Sequence, residues 1–366
     1  PADQVPVPEK APATGKKVAI IGGGPCGLTA AYFLQLMGHQ TTVFEEKSKL
    51  GGMLRYGIPN YRFPRERLQQ DIDAILSTGV DVKMNVQIGT EQMNQIRKEY
   101  DAVYIAIGAH TDKKLGLEGE DSNNVISAVD MLRKIGDGNY PDFSGKRVVV
   151  VGGGNVAIDA SRVSSRNNAS QVQQFCLEQE VDMPASNEEI REAKEDGVTI
   201  HCGWGPQEII ETNGKVSAIV FKKCVSVFND EGKFAPVYDE NTTVTVACDR
   251  VIFAIGQRSV WGDLLKGEDV KFNGLAIELN KVTFQSSVED IFAGGDVYTG
   301  PKFAIDAIAQ GKIAAESLHR YVHHGHMETG RNRWEFKPLD TDDILVESYD
   351  RGPKQVEGVN DKVTDK

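Results

Sequence analysis

Two stretches of this chain place three glycines directly after an apolar run. KVAIIGGGPCGLTA occupies residues 17–30, and RVVVVGGGNVAIDA occupies residues 147–160, 130 residues further on. Four apolar residues in a row, Val18 to Ile21, suit a parallel strand buried on both faces. Gly22 allows the tight turn out of that strand, Gly24 lets a pyrophosphate approach bare backbone, and Gly27 lets the next helix pack close to the sheet. Pro25 and Cys26 lie in the turn itself, and the N–H groups that open the helix are aimed at the phosphates. The following strand, QTTVFE, ends in Glu45, 23 residues after Gly22. That spacing suits an acid hydrogen-bonded to a ribose hydroxyl. Strand, glycines, helix and acid in register read as a dinucleotide site.

The second copy keeps Gly152 and Gly154 and has Ala157 at the third position, a common variant. Asn155 and Val156 offer backbone N–H groups at its helix start. A second echo pairs YIAIGA (104–109) with IFAIGQ (252–257), so that Gly108 and Gly256 follow matching strand ends. Two such units in one chain suggest two dinucleotides facing each other, an arrangement suited to moving a hydride between a nicotinamide and a flavin. The alternative is that one copy survives only as scaffold.

The elements that hold these loops fit an α/β protein. The chain has 366 residues, enough for two to three domains, and 40% of them are hydrophobic, which excludes disorder by composition. A net charge of −12 argues against a nucleic-acid partner. No apolar run approaches the ~18 residues of a membrane span, and the opening PADQVPVPEKAPATG lacks the apolar stretch of a signal peptide. Cys26, Cys176, Cys202, Cys224 and Cys248 are scattered with no C-x-x-C. A zinc ribbon, a self-contained iron–sulfur cluster and a thioredoxin-like dithiol are therefore not expected, and free thiols suit a reducing cytoplasm.

GGMLRYGIPNYRFP (51–64) and IFAGGDVYTGPKFAIDAIAQGKIAAESL (291–318) resemble two flavin motifs of the glutamate synthase small-subunit family. That family includes the flavin/nicotinamide part of dihydropyrimidine dehydrogenase and ferredoxin:NADP oxidoreductases. The resemblance covers residues ~16 to ~320. It implies a two-dinucleotide-binding flavoprotein fold, two Rossmann-like domains with the nicotinamide domain inserted into a split FAD domain. The corresponding boundaries are 16–143 and 271–325 for FAD and 144–270 for NAD. It also implies that Gly52, Met53, Ile88, Lys302 and Ala304 lie along the FAD, as does Arg62, whose alternative role is an ordinary ion pair. In the late motif, Ile291–Ala293 reads as a strand ending in Gly294-Gly295-Asp296. A carboxylate there can accept from a ribityl hydroxyl, and a helix from about Phe303 can steady negative charge on the flavin.

Coenzyme choice follows from a departure. NADP-using relatives end the strand after the second glycine loop in two basic residues, before Met-Pro-Ala. Here VQQFCLEQEVDMPAS (172–186) puts Leu177 and Glu178 at those positions. A carboxylate repels a 2′-phosphate but can bond both hydroxyls of an unphosphorylated ribose, which favours NAD(H). The strand is oddly polar, so a slipped register would make Glu180 the acid instead.

Other features carry less. His319, His323, His324 and His326 read as a solvated tail where the last helix frays, and no metal is expected. Cys26 reads as a small residue that fits its turn. Residues 221–246 suggest an antiparallel hairpin on the inserted domain. Residues 1–15 form a Pro-rich linker. Relatives carry an N-terminal iron–sulfur segment ahead of such a linker, so here that segment either lies on another polypeptide or precedes a fragment. Residues 326–366 hold Trp334, Phe336 and Tyr349 and read as an arm that docks on a partner or folds back on its own domain. The expected chemistry is hydride transfer at flavin N5 with no catalytic side chain. The expected protein is the FAD- and NAD(H)-handling subunit of a hetero-oligomer, with an iron–sulfur subunit or ferredoxin as partner and neither nucleic acid nor membrane involved. A free-standing reductase and a non-catalytic assembly subunit are the alternatives.

Overall fold

In the computed structural model, which describes residues 6–331, Val18 to Ile21 form the middle of a five-stranded parallel sheet. Its strands, in spatial order, are Ile291–Ala293, Ala102–Ile105, Lys17–Ile21, Gln40–Glu45 and Asp81–Met84. The central strand is buried on both faces. Two apolar clusters cover it, one centred on Ile20, Leu34, Tyr104 and Phe292, the other on Ile21, Met93, Ile105 and Ile291.

A second parallel sheet repeats the first. Its order is Val125–Ser127, Arg250–Phe253, Arg147–Val151, Gln171–Cys176 and Thr199–Cys202. Strand for strand this is the same arrangement, and only the outermost strand differs in origin. In the first sheet it comes from the chain after the unit, and in the second from the chain before it. Val125–Ser127 thus joins the second sheet from ahead of residue 144. All of the second sheet lies in sequence between the strands at Ala102–Ile105 and Ile291–Ala293, so one unit is inserted in the other.

The oddly polar strand QVQQFC is explained by its neighbours. Gln174 is fully buried, accepts from Ser161 Oγ at 2.9 Å and donates to Gly152 O at 2.9 Å. A long hairpin, Lys215–Phe228 with Phe234–Ala247, extends the stretch read as a hairpin and is joined by Trp204–Thr212. It packs on the second sheet through Phe221, stacked on Phe175 with ring centroids 4.1 Å apart. From residue 332 on, the expected C-terminal arm lies outside the described residues. Among the described residues no helix is long and apolar enough to cross a membrane.

Candidate functional site

Each glycine loop is built where its strand hands over to a helix. Gly22 adopts φ +108°, and a Cβ there would stand 2.4 Å from Ala106 O. Gly152 repeats this with φ +143° and Ala254 O at 2.3 Å. A Cβ on Gly27 would meet Gly22 O at 2.0 Å, which enforces glycine, whereas the second copy carries Ala157, buried, at its third position. The helices Pro25–Leu36 and Asn155–Arg166 are both capped by an extended glycine, Gly24 and Gly154, with no capping side chain. Their first N–H groups are left for a ligand to satisfy.

Both loops open onto one cleft of about 1480 Å³. That exceeds the ~300–1,000 Å³ of an ordinary small-molecule site. Every residue expected to touch a nucleotide lines this cleft except Gly27, which lies behind its loop. A Cβ on Gly24 would meet only Gly52 Cα, at 3.7 Å, and one on Gly154 would face open space. These are cradles of bare backbone, as a pyrophosphate requires. Glu45 ends its strand and accepts from Gly23 N–H and Lys47 N–H, both at 2.8 Å. Burial raises its carboxyl above the usual range, partly offset by those two bonds.

The late motif closes the cleft. Asp296 follows the Ile291–Ala293 strand and accepts from Lys302 N–H at 3.3 Å. Burial pushes its carboxyl up to about 6. Gly295 N–H is held by Gln310 Oε1 at 2.8 Å, and Phe303 N–H by Asp306 Oδ2 at 3.2 Å as the Ala304–Val322 helix begins. Cys26 touches Tyr104 OH at 3.0 Å, and burial pushes its thiol up to about 12, so it is no nucleophile at neutral pH. These features fit an FAD laid along the first loop.

In the second unit the Glu178 carboxylate stands over its glycine loop as Glu45 does over the first. A Cβ on Gly23 would lie 3.0 Å from Glu45 Oε2, and one on Gly153 would lie 2.6 Å from Glu178 Oε2. Glu180 is engaged elsewhere, 2.6 Å from Lys194 Nζ, and does not line the cleft. Residues 16–311 match the pyridine nucleotide-disulphide oxidoreductase family.

The chain belongs to that family.

It is thus an FAD-dependent oxidoreductase, and its glutamate synthase-like loops are matched by relatives. It is 38% identical to the NADP(+)-dependent formate dehydrogenase subunit beta of Moorella thermoacetica, over 85% of this chain and 45% of that one. It is 34% identical to the NADPH-Fe(3+) oxidoreductase subunit beta of Geobacter sulfurreducens, over 86% and 51%. With the glutamate synthase [NADPH] small chain of Escherichia coli K12 the identity is 33%, over 84% and 69%. The chain spans about half the length of the first two. Mycobacterium tuberculosis FprA, solved in complex with NADPH, shares the fold, with a TM-score of 0.73 at 19% identity over 86% and 85% of the two chains. All five cysteines are free, and Cys26 and Cys176 line the cleft. Cys176 and Cys202 do approach, Sγ to Sγ 3.8 Å, across neighbouring strands of the second sheet.

Arg62 was read as lying along the FAD or in an ordinary ion pair; its partners, Tyr104 behind Cys26 and His39 beside the last helix went unread in the sequence. Arg62 lines the cleft, but its guanidinium bonds Asp159 at 2.7 Å and also Glu189, both in the second unit. Asp159 is buried, and burial pushes its carboxyl up to about 7 even with Arg62 beside it. Tyr104 backs Cys26. The reading of the histidines as a solvated tail needs correction. His324 and His326 are exposed, but His319 and His323 pack against His39, a residue 280 positions away from His319 and 1% exposed. Burial and the two neighbouring imidazoles lower His39 to about 4.

Proposed function

We propose that this chain is the nicotinamide-handling flavoprotein subunit of an iron–sulfur oxidoreductase complex, that it prefers NAD(H), and that it exchanges electrons with clusters on a partner. The observation that carries this reading is the pairing of two glycine cradles on one cleft, one governed by Glu45 and the other by Glu178.

When bound, the flavin supplies the hydride acceptor and can pass the pair on as single electrons. The chain's own groups do the rest. The Gly22–Gly27 turn would hold the pyrophosphate, Glu45 the adenosine ribose and Asp296 a ribityl hydroxyl. The Ala304–Val322 helix opens on the cleft, so its positive end favours negative charge there. Gly152–Val156 would hold the second pyrophosphate. Holding the rings ~3–3.5 Å apart is then the main catalytic task, and no side chain need move a proton.

Glu178 supports NAD(H) although the relatives above are named for NADP(H). Of the nearby lysines, Lys194 is paired with Glu180, Lys222 lies 2.9 Å from Glu240, and Lys223 stands over the Trp204 ring. A 2′-phosphate beside Glu178 would meet like charge, which costs several kcal/mol. The wild type should favour NADH by at least ~10-fold in kcat/KM, or ~1.4 kcal/mol. Leu177→Arg/Glu178→Arg should move the preference toward NADPH by adding charge-assisted bonds. Equal use of both coenzymes by the wild type sinks the reading of Glu178. An anaerobic titration separates an electron carrier from an assembly subunit, since NADH should bleach the flavin of the isolated chain.

A further inference from the structure

His39 lies at the end of the Gln40–Glu45 strand away from the cleft. Gly38, at φ +85°, ends the first helix, and His39 N–H donates back to Leu34 O at 3.0 Å, which fixes where the imidazole points. It points at the last helix. There His319 and His323, four residues apart, share one face of the final turn. Ring centroids are 5.0 Å apart for His39–His319, 5.5 Å for His39–His323 and 4.9 Å for His319–His323.

We propose that His39, His319 and His323 form a binding site for one divalent transition-metal ion of the zinc class, clasping the first helix and the residues before the first strand to the last helix, remote from the redox cleft.

One ring nitrogen from each histidine lies within 4.8 Å of the other two, and His39 Nε2 stands 2.8 Å from His319 Nδ1. Tetrahedral zinc with Zn–N bonds of ~2.0–2.1 Å needs ligand nitrogens roughly 3.3 Å apart. His39 Nε2 and His319 Nδ1 already stand closer than that, and the His323 nitrogen lies within 4.8 Å of both, so ring rotations can bring the three to a common ion.

The hydrogen bonds behind His39 accommodate the ligating tautomer. Thr14 Oγ1 donates to Gly38 O at 3.3 Å and accepts from Lys16 N–H at 3.2 Å. It is 2.8 Å from His39 Nδ1. The hydroxyl can give its proton to Gly38 O and accept from Nδ1–H. The Nε2 lone pair of His39 then faces the two helix histidines, as a ligand must. A ligating imidazole whose other nitrogen is held by an oxygen is the usual outer support of a metal site. Imidazole ligands favour zinc, copper and nickel over magnesium or calcium. His323 is exposed, which leaves room for a water as fourth ligand.

The test uses the FAD-loaded full chain and Zn²⁺, with binding measured by calorimetry and by competition with a chromophoric chelator, and bound metal counted after dialysis. One Zn²⁺ per chain is expected. His323→Ala, at an exposed position that should not disturb folding, and His319→Ala should each weaken binding at least tenfold. His324→Ala and His326→Ala should not. Zn²⁺ should also raise the melting temperature of the wild type but not of His323→Ala. Absence of saturable binding, or binding that His319→Ala and His323→Ala leave within twofold, overturns the proposal. So does an equal loss on His324→Ala, since the ion would then sit on the surface histidines.

Discussion

A single methyl group should separate cofactor binding from folding in the first loop. Gly24 has φ −81° and ψ −177°, which alanine adopts without strain, and a Cβ there would meet Gly52 Cα at an ordinary 3.7 Å. The FAD-free Gly24→Ala protein should therefore be as stable as the wild type, or more so by about 0.4–1 kcal/mol through a less flexible unfolded chain. On the proposed placement of FAD, that same Cβ stands where the pyrophosphate would lie against backbone. Loss of one charge-assisted hydrogen bond costs about 1.5–3 kcal/mol, so FAD affinity should fall by roughly 10- to 100-fold. Gly27→Ala is the contrast, because its Cβ would lie 2.0 Å from Gly22 O and backbone must move. It should lose fold and flavin together. Thermal unfolding of the FAD-free proteins and FAD titration by fluorescence quenching distinguish the two. A Gly24→Ala protein that bound FAD within twofold of wild type would refute the placement of the pyrophosphate.

Two further outcomes follow from buried carboxylates. Asp296 is raised by burial from an ordinary 3.8 to about 6, so its folded form holds a proton that the unfolded chain releases; its contribution to stability is complete below pH 3.8 and lost as pH rises through 6. In FAD-free protein, Asp296→Asn should therefore gain unfolding free energy over wild type between pH 4 and 7, by at most ~3 kcal/mol, while binding FAD more weakly; a pH-independent difference would contradict this. Above pH 7, where Asp159 is ionised in the wild type, Arg62→Ala leaves that buried carboxyl without its counter-ion and should cost up to about 3 kcal/mol in denaturant unfolding, with partial recovery in Arg62→Ala/Asp159→Asn. No recovery in the double variant would show that the guanidinium matters for packing, not for charge.

What was legible in the sequence shares one physical property: it was imposed by backbone. Gly22 and Gly152 are glycine because a carbonyl stands 2.4 and 2.3 Å from where a Cβ would be, and Gly27 is glycine because Gly22 O stands 2.0 Å from where its Cβ would be. Such constraints act within a few residues, so spacing alone exposes them. The partners of side chains obey no such rule. Asp159 lies in the run NVAIDA, where nothing marks it as the counter-ion of Arg62, 97 residues earlier. His39 lies in an unremarkable helix-to-strand turn, and only the packing of the last helix on the first brings it to His319. The placement of Val125–Ser127 in the second sheet was equally hidden, since a three-residue strand has no period of its own.

The choice between Glu178 and Glu180 shows where local and tertiary information meet. Sequence counting reached both, because the strand before them is too polar for its faces to be told apart. The polarity has a local cause: Gln174 is turned inward to bind Ser161 and the carbonyl of Gly152, so one of the strand's buried positions is filled by an amide rather than a hydrocarbon. That bond also ties the strand to the second glycine loop. With the strand ending at Cys176, the next residues leave the sheet at the height of Gly153, and Glu178 falls over the loop while Glu180 turns away to Lys194. The first unit reaches the same outcome with an apolar strand, Glu45 being its last residue. Two different strand compositions thus deliver a carboxylate to equivalent glycines, which is the expected result if the ribose hydroxyls, and not the strand, dictate where the acid must stand.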